Sequence, residues 1–399
     1  MTTPIFRFAH RTRRIAPSMI LELMKLMGRP ALVSLGGGLP SADGFPAEAL
    51  RAASHRVLSR APREALQYTT TEGLPGLREW VAARLRERGL AVLAEQVLIT
   101  SGSQQGLDLV AKALLEASAR VAVESPTYLG ALQAFAPYEA EAVEVACDED
   151  GPLPDRLQAV ADARALYLLP SFQNPTGRCI PQARRVQIAA RAQALGLPLL
   201  EDDPYGDLWF DQPPPAPLAA HWPEGSIYLG SFSKVLAPGL RLGYVVSPLP
   251  VHQLLVQAKQ AADMHSSTLA QHLVLDLLKT GMLEDHLDSV RQRYRLGRDA
   301  MAQALHTHMP DLATWRAPEG GMFFWLTLAS QVDTAALLPR AIEQGLSFLP
   351  GAAFFAGKPV HHALRLSFVT EPPERIAQGV ATLARTVRSA LLAQSGQAQ

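Results

Sequence analysis

Between Gln96 and Val246, short apolar runs alternate with stretches whose apolar residues recur at helical spacing. The runs are QVLIT from Gln96, RVAVE from Arg120, ALYLLP from Ala165, LPLLED from Leu197, SIYLGS from Ser226 and LGYVV from Leu242. Most are apolar throughout and bounded by Gly, Pro, Asn or Asp. That is the pattern of strands covered on both faces, as in a parallel sheet. In SQQGLDLVAKALLE, Leu107, Val110, Ala111, Leu114 and Leu115 share one helical face. Such alternation predicts an α/β unit: a mostly parallel central sheet flanked by helices.

The pattern changes near Met264. From there to about Thr307 the spacing predicts mostly long helix. Strand-like GGMFFWLTL, a helix around TAALLPRAIEQG, strand-like LSFLPG and ALRLSFV, and a last helix from Pro373 follow. This is a smaller α+β unit. The Pro-rich FDQPPPAP reads as a surface loop, because the sheet pattern resumes after it. A chain of 399 residues is too long for one simple core, so more than one unit is expected.

Charge narrows the function. Lys plus Arg and Asp plus Glu are both 37, and this zero balance lacks the basic footprint of a nucleic-acid or membrane-surface protein. The two cysteines, Cys147 and Cys179, make no disulfide framework and fit a reducing compartment. No apolar stretch reaches the ~18 residues of a membrane span. The N-terminus has no apolar core of a secretory signal. A cytoplasmic location is expected.

The lysines are Lys25, Lys112, Lys234, Lys259, Lys279 and Lys358. Lys25, Lys112, Lys259 and Lys279 sit in helical patterns and are expected on solvated faces, and Lys358 lies in a Gly/Pro turn. Lys234 differs: it follows an apolar strand in IYLGSFSKVLAPGLRLGY, with Ser231, Ser233 and Arg241 beside it. Ligands collect at strand ends of open α/β sheets. A desolvated amine there can condense with a carbonyl, and two hydroxyls with a guanidinium suit a phosphate. The bland alternative is a lysine ion-paired at a loop. TSGSQQGLDL offers a strand running into a helix through Gly102, with free N–H groups at Ser103, Gln104 and Gln105 for an anion. An ordinary helix start would look the same.

The segment Ser231–Gly243 resembles the signature of fold-type I, class I/II aminotransferases, which depend on pyridoxal phosphate. GGGLPSADGFP resembles the glycine-rich turn of the family's 2-aminoadipate aminotransferase-like branch. Other pieces follow in family order, over roughly residues 20 to 390. The resemblance implies that Lys234 holds the cofactor as a Schiff base and acts as the general base, and that Ser103, Gln104, Gln105, Ser231, Ser233 and Arg241 surround its phosphate. Tyr128 in ESPTYLGAL would stack on the pyridine ring. Asn174 in PSFQNPTGRCI and Tyr205 in LLEDDPYGDL would share its phenolate oxygen, and Asp202 would keep the ring nitrogen protonated. Arg365 in HHALRLSF would grip the substrate α-carboxylate, and Gly38 in GGGLPSADGFP would approach the substrate. Tyr68 would reach the partner's cofactor across a homodimer with shared sites.

The implied division is residues 1–45 as a segment serving the small domain and the site, 46–285 as the large cofactor-binding domain, and 286–399 as the small domain. The implied reaction is ping-pong transamination of an L-amino acid, with 2-oxoglutarate as acceptor. Where acid-accepting relatives place an arginine, this chain has Leu21, which argues for an apolar donor unless Arg14 or Arg29 substitutes. The same scaffold also carries β-lyases, decarboxylases and non-catalytic regulatory modules. The fold-like region begins almost at Met1, so no preceding DNA reader is expected. EDD at Glu201–Asp203 lacks further acidic ligands for a metal, and the pairs His265/His272 and His361/His362 read as packing or surface residues.

Overall fold

A computed structural model describes residues 5–14 and 32–397. All six apolar runs form strands: β1 Val97–Thr100, β2 Arg120–Val123, β4 Leu166–Leu168, β5 Leu199–Asp202, β6 Ser226–Ser231 and β7 Gly243–Val246. Between β2 and β4 lies another strand, β3 Glu141–Glu144, which the apolar pattern does not announce. Its EAVE sequence is half polar because it forms the sheet edge. The spatial order is β1-β7-β6-β5-β4-β2-β3. Only β7 runs antiparallel to its neighbours, β1 and β6. The carboxyl ends of β1, β2, β4, β5 and β6 therefore meet at one edge. Leu98, Ile99, Leu199, Leu200 and Leu229 are almost fully buried, as strands covered on both faces require.

Helices cover the sheet. They include α1 Ser103–Leu114, α2 Gln182–Leu195 and α3 Leu249–Asp263. The long helical stretch expected after Met264 is two helices, α4 Thr268–Lys279 and α5 Leu283–His308. Gly281, at φ 75°, breaks them apart in a left-handed conformation that favours glycine. Beyond α5 a four-stranded antiparallel sheet forms from β8 Ala313–Trp315, β9 Phe323–Leu328, β10 Leu349–Pro350 and β11 Ala363–Ser367, in the order β8-β9-β11-β10. The LSFLPG run divides: Leu349–Pro350 is β10, while Leu346–Ser347 pairs in parallel with Val33–Ser34. That pairing ties the segment before Gly36 to the small sheet. The closing helix, α6, spans Pro373–Gln397.

Lys259 departs from its expected solvated face. It is fully buried on α3, where its amine meets Asp263 at 2.6 Å and Gln105 at 2.9 Å. Its charge is paired inside the protein rather than hydrated.

Candidate active site

A cavity of about 340 Å³ opens at the edge where the parallel strands end. Five strand ends contribute groups. Ser103 and Gln104 follow β1, Tyr128 follows β2, Leu169 and Asn174 follow β4, Asp202 ends β5, Ser231 ends β6, and Ser233, Lys234 and Arg241 lie beyond it. Gly38, Leu39 and, from β11, Arg365 close the cavity from the small sheet's side.

Lys234 donates to the Gly38 carbonyl at 2.9 Å and has no carboxylate partner among the described residues. Burial lowers its pKa to about 8, helped by the positive charges of Arg365 and Arg241. A neutral, nucleophilic amine is thus accessible near neutral pH. Asp202 is buried on β5. Its Oδ2 accepts from Tyr167 at 2.8 Å, and its buried Oδ1 has no hydrogen-bond partner among the described residues. Burial raises its pKa to about 7, while the Tyr167 hydroxyl pulls it down. A cationic ring N–H would fit that orphaned oxygen and favour its ionised form.

The opposite end suits an anion. Gly102, at φ 85°, turns the chain from β1 into α1, leaving the N–H groups of Ser103 and Gln104 without earlier partners in the helix. A Cβ at Gly102 would come within 2.6 Å of the Arg241 guanidinium, so only glycine lets the two approach. Arg241 itself holds φ 49°, uncommon for a residue with a side chain. The Ser231 hydroxyl accepts from the Ser233 N–H at 3.1 Å. Gln104 donates to the Gly130 carbonyl at 3.0 Å, tying this end to the Tyr128 segment.

On the remaining side, Arg365 is fully buried. It donates to Asn174 Oδ1 at 2.8 Å and to the carbonyls of Gly36 at 2.8 Å and Gly37 at 3.3 Å. Its guanidinium lies 4.1 Å from the Phe323 ring centroid, and its Nε is buried without a partner among the described residues. Desolvation lowers its pKa to about 10, so it stays a cation at neutral pH. The Asn174 amide nitrogen is 3.5 Å from the Tyr205 hydroxyl. Burial pushes the Tyr128 hydroxyl up to about 12 and that of Tyr205 up as well, so both remain protonated.

Two expected residues lie elsewhere. Gln105 does not line the cavity. Its backbone N–H donates to Gly102, and its side chain faces Lys259 and Asp263, because one residue along a helix turns the direction by about 100°. Tyr68 is 74% exposed, edge-on to His265, outside the cavity. Leu21 and Arg29 lie outside the described residues, and Arg14 is an exposed residue of the short helical turn His10–Arg14. The residue reading missed Leu39, Leu169, Pro204 and Pro238 in the lining, and Tyr167 behind Asp202. Leu39 follows Gly38 directly and could have been read from that turn. A second cleft, of about 380 Å³, carries Arg178, Cys179, Trp315 and Trp325. Its thiol, Cys179, has a pKa that burial raises, and the cleft holds no lysine among its lining residues, so the chemistry belongs to the Lys234 cavity. Among the described residues no cluster of three or more His, Cys, Asp or Glu could hold a metal ion, and no helix is long and apolar enough to cross a membrane.

Residues 31–383 match the family model for aminotransferase class I and II. The chain belongs to that family. This aminotransferase is 43% identical to the 2-aminoadipate transaminase of Thermus thermophilus, over 96% of this chain and 97% of that one. It is 37% identical to aromatic-amino-acid aminotransferase 1 of Thermococcus litoralis, over 96% and 94%. A crystal structure of an α-aminoadipate aminotransferase of Thermus thermophilus, complexed with N-(5'-phosphopyridoxyl)-L-leucine, superposes with a TM-score of 0.90 at 40% identity, covering 96% of this chain and 98% of that one. The aminotransferase has the fold-type I architecture and uses pyridoxal phosphate, and the anion end, orphaned carboxylate and unpaired amine fit that cofactor.

Proposed function

We propose that this aminotransferase moves the amino group of an apolar L-amino acid to a 2-oxo acid, in two half-reactions, with Lys234 as the proton carrier. The observation that carries the reading is the Lys234 amine, free of any carboxylate, in the same cavity as the orphaned Asp202 Oδ1. When bound, pyridoxal phosphate supplies an electron sink that acidifies the donor's α-hydrogen. Asp202 holds the proton on the pyridine nitrogen. Tyr128 packs on the ring, and Asn174 and Tyr205 donate to its phenolate oxygen. Ser103, Gln104, Ser231, Ser233 and Arg241 bind the phosphate. Arg365 pairs with the donor's α-carboxylate, which fixes the α-carbon near Lys234. With the cofactor bound, the Lys234 Nζ would be the base that takes the proton from that carbon.

The apolar donor rests on the lining. Its cations among the described residues are Lys234, Arg241 and Arg365, each already assigned, so a side-chain carboxylate would be buried unpaired. Leu21, outside the described residues, points the same way. The aromatic specificity named for one relative agrees with this reading; the 2-aminoadipate relative opposes it, although an α-aminoadipate aminotransferase of the same organism also holds a leucine adduct. We propose 2-oxoglutarate as acceptor and a homodimer in which the partner subunit's Tyr68 completes the phosphate site.

The test is turnover on leucine, phenylalanine, kynurenine, 2-aminoadipate and glutamate, with 2-oxoglutarate, pyruvate and a branched-chain oxo acid as acceptors. Expected are higher kcat/KM for the apolar donors, stoichiometric 2-oxo acid, and parallel initial-rate lines. A strong preference for 2-aminoadipate would overturn the donor reading. Ammonia release without amine transfer would overturn transamination.

A further inference from the structure

Behind the anion end of the cavity lies a polar cluster that the reaction does not use. Lys259, fully buried on α3, donates to Asp263 Oδ1 at 2.6 Å and to Gln105 Oε1 at 2.9 Å. Asp263 Oδ2 accepts from Gln105 Nε2 at 2.7 Å and from the Ser101 hydroxyl at 2.9 Å. Gln105 Oε1 also accepts the Ser101 backbone N–H at 2.8 Å. The Ser101 hydroxyl lies 3.2 Å from that of Ser266, which caps the cluster from the far side.

These bonds converge on Ser101. That residue lies between the end of β1 and Gly102, at the turn into α1. Its N–H and hydroxyl are held from behind, and its carbonyl accepts from Arg241 at 3.4 Å. One residue's backbone is thus pinned to the Lys259–Asp263 pair, whose lysine is buried, on one side and to the phosphate-facing guanidinium on the other. A turn that presents free N–H groups to an anion gains affinity when its geometry is set beforehand. Lys259 also carries the only ammonium of the cluster, and both of its hydrogen-bond acceptors belong to it.

We propose that Lys259 and Asp263, acting through Gln105 and Ser101, are positioning residues that fix the Ser101–Gln104 turn and thereby set the affinity for the cofactor's phosphate from outside the cavity. The inference rests on the assignment of the phosphate to Ser103, Gln104 and Arg241. Neither residue touches the cofactor. Their effect is confined to the phosphate end, because the ring-facing groups Tyr128, Asp202 and Asn174 hang from other strand ends.

The test measures binding to the apoprotein, by fluorescence or equilibrium dialysis, for pyridoxal phosphate and for pyridoxal, which lacks the phosphate. Lys259→Met is expected to weaken pyridoxal phosphate by about tenfold or more, the scale of one charge-assisted contact, and to leave pyridoxal within about twofold. Asp263→Asn, which keeps the shape, is expected to repeat this selectivity and serves if Lys259→Met fails to fold. Equal weakening of both ligands, or of neither, overturns the proposal. Arg241→Leu separates the two layers of argument. If it leaves pyridoxal phosphate binding unchanged, the phosphate assignment itself is wrong; if it weakens binding while Lys259→Met and Asp263→Asn do not, only the positioning role falls.

Discussion

Two lysines of this chain, Lys259 fully buried and Lys234 partly buried, are treated in opposite ways. Lys259 has a carboxylate at 2.6 Å, an amide oxygen at 2.9 Å and a place in a closed network. Lys234 has one backbone carbonyl and two guanidinium groups that repel it. Burial alone therefore does not make a lysine reactive. Burial pulls down the pKa of both amines; at Lys259 the Asp263 carboxylate pushes it back up, while at Lys234 no carboxylate opposes the shift and two guanidinium groups deepen it.

The difference can be broken by mutation. The largest effect is expected for Lys234→Ala, which should lower turnover by about 1,000-fold or more and abolish fixation of cofactor by borohydride. A protein that still takes up cofactor covalently would place the reactive amine elsewhere. Next in size, Arg365→Leu should raise the donor KM by roughly 10- to 100-fold, the worth of a paired guanidinium–carboxylate contact, with a smaller change in kcat.

Stability should move in opposite directions at the two lysines. In urea unfolding of the apoprotein near pH 7, Lys259→Met is expected to cost about 1–3 kcal/mol, because it removes the charged donor that Asp263 Oδ1 and Gln105 Oε1 share. Lys234→Met is expected to gain on the order of 1–3 kcal/mol, because the wild-type amine is charged in a site that disfavours charge. The sign follows from a folded pKa near 8, below the free lysine value. The penalty is complete below pH 8 and fades as pH climbs toward the free value of ~10.4, so the Lys234→Met gain should shrink there too. A destabilised Lys234→Met would sink the contrast.

The smallest effect is a shift in pH. Capture of pyridoxal phosphate by the apoprotein should quicken as pH rises, with an inflection near 8 set by the Lys234 amine. Removing the Arg365 charge should move that inflection upward, since a neighbouring cation helps to depress it. An inflection unmoved in Arg365→Leu would mean that burial alone sets the value.

Much of this was legible in the residue order. Buried parallel strands must be apolar on both faces, so six of the seven large-sheet strands show as unbroken runs. The seventh, at the edge, hides among glutamates. Lys234, Ser231, Ser233 and Arg241 share one short segment, so their chemistry reads locally. Asp202, Asn174 and Arg365 come together only because separate strands end at one edge or meet across two sheets, and the family resemblance supplied that relation. What was hidden is orientation. Gln105 and Lys259 have the spacing of helical surface residues, and nothing nearby in sequence says that α1 and α3 turn them toward each other. Tyr167 looks like one more apolar strand residue until its hydroxyl is found on Asp202.

The contacts of Arg365 carry one more consequence. Its guanidinium is already stripped of water and held by Asn174 and by the carbonyls of Gly36 and Gly37. An arriving carboxylate thus meets a cation whose dehydration was completed during folding. Selectivity for that carboxylate is then written into the chain's assembly rather than negotiated with solvent at each encounter.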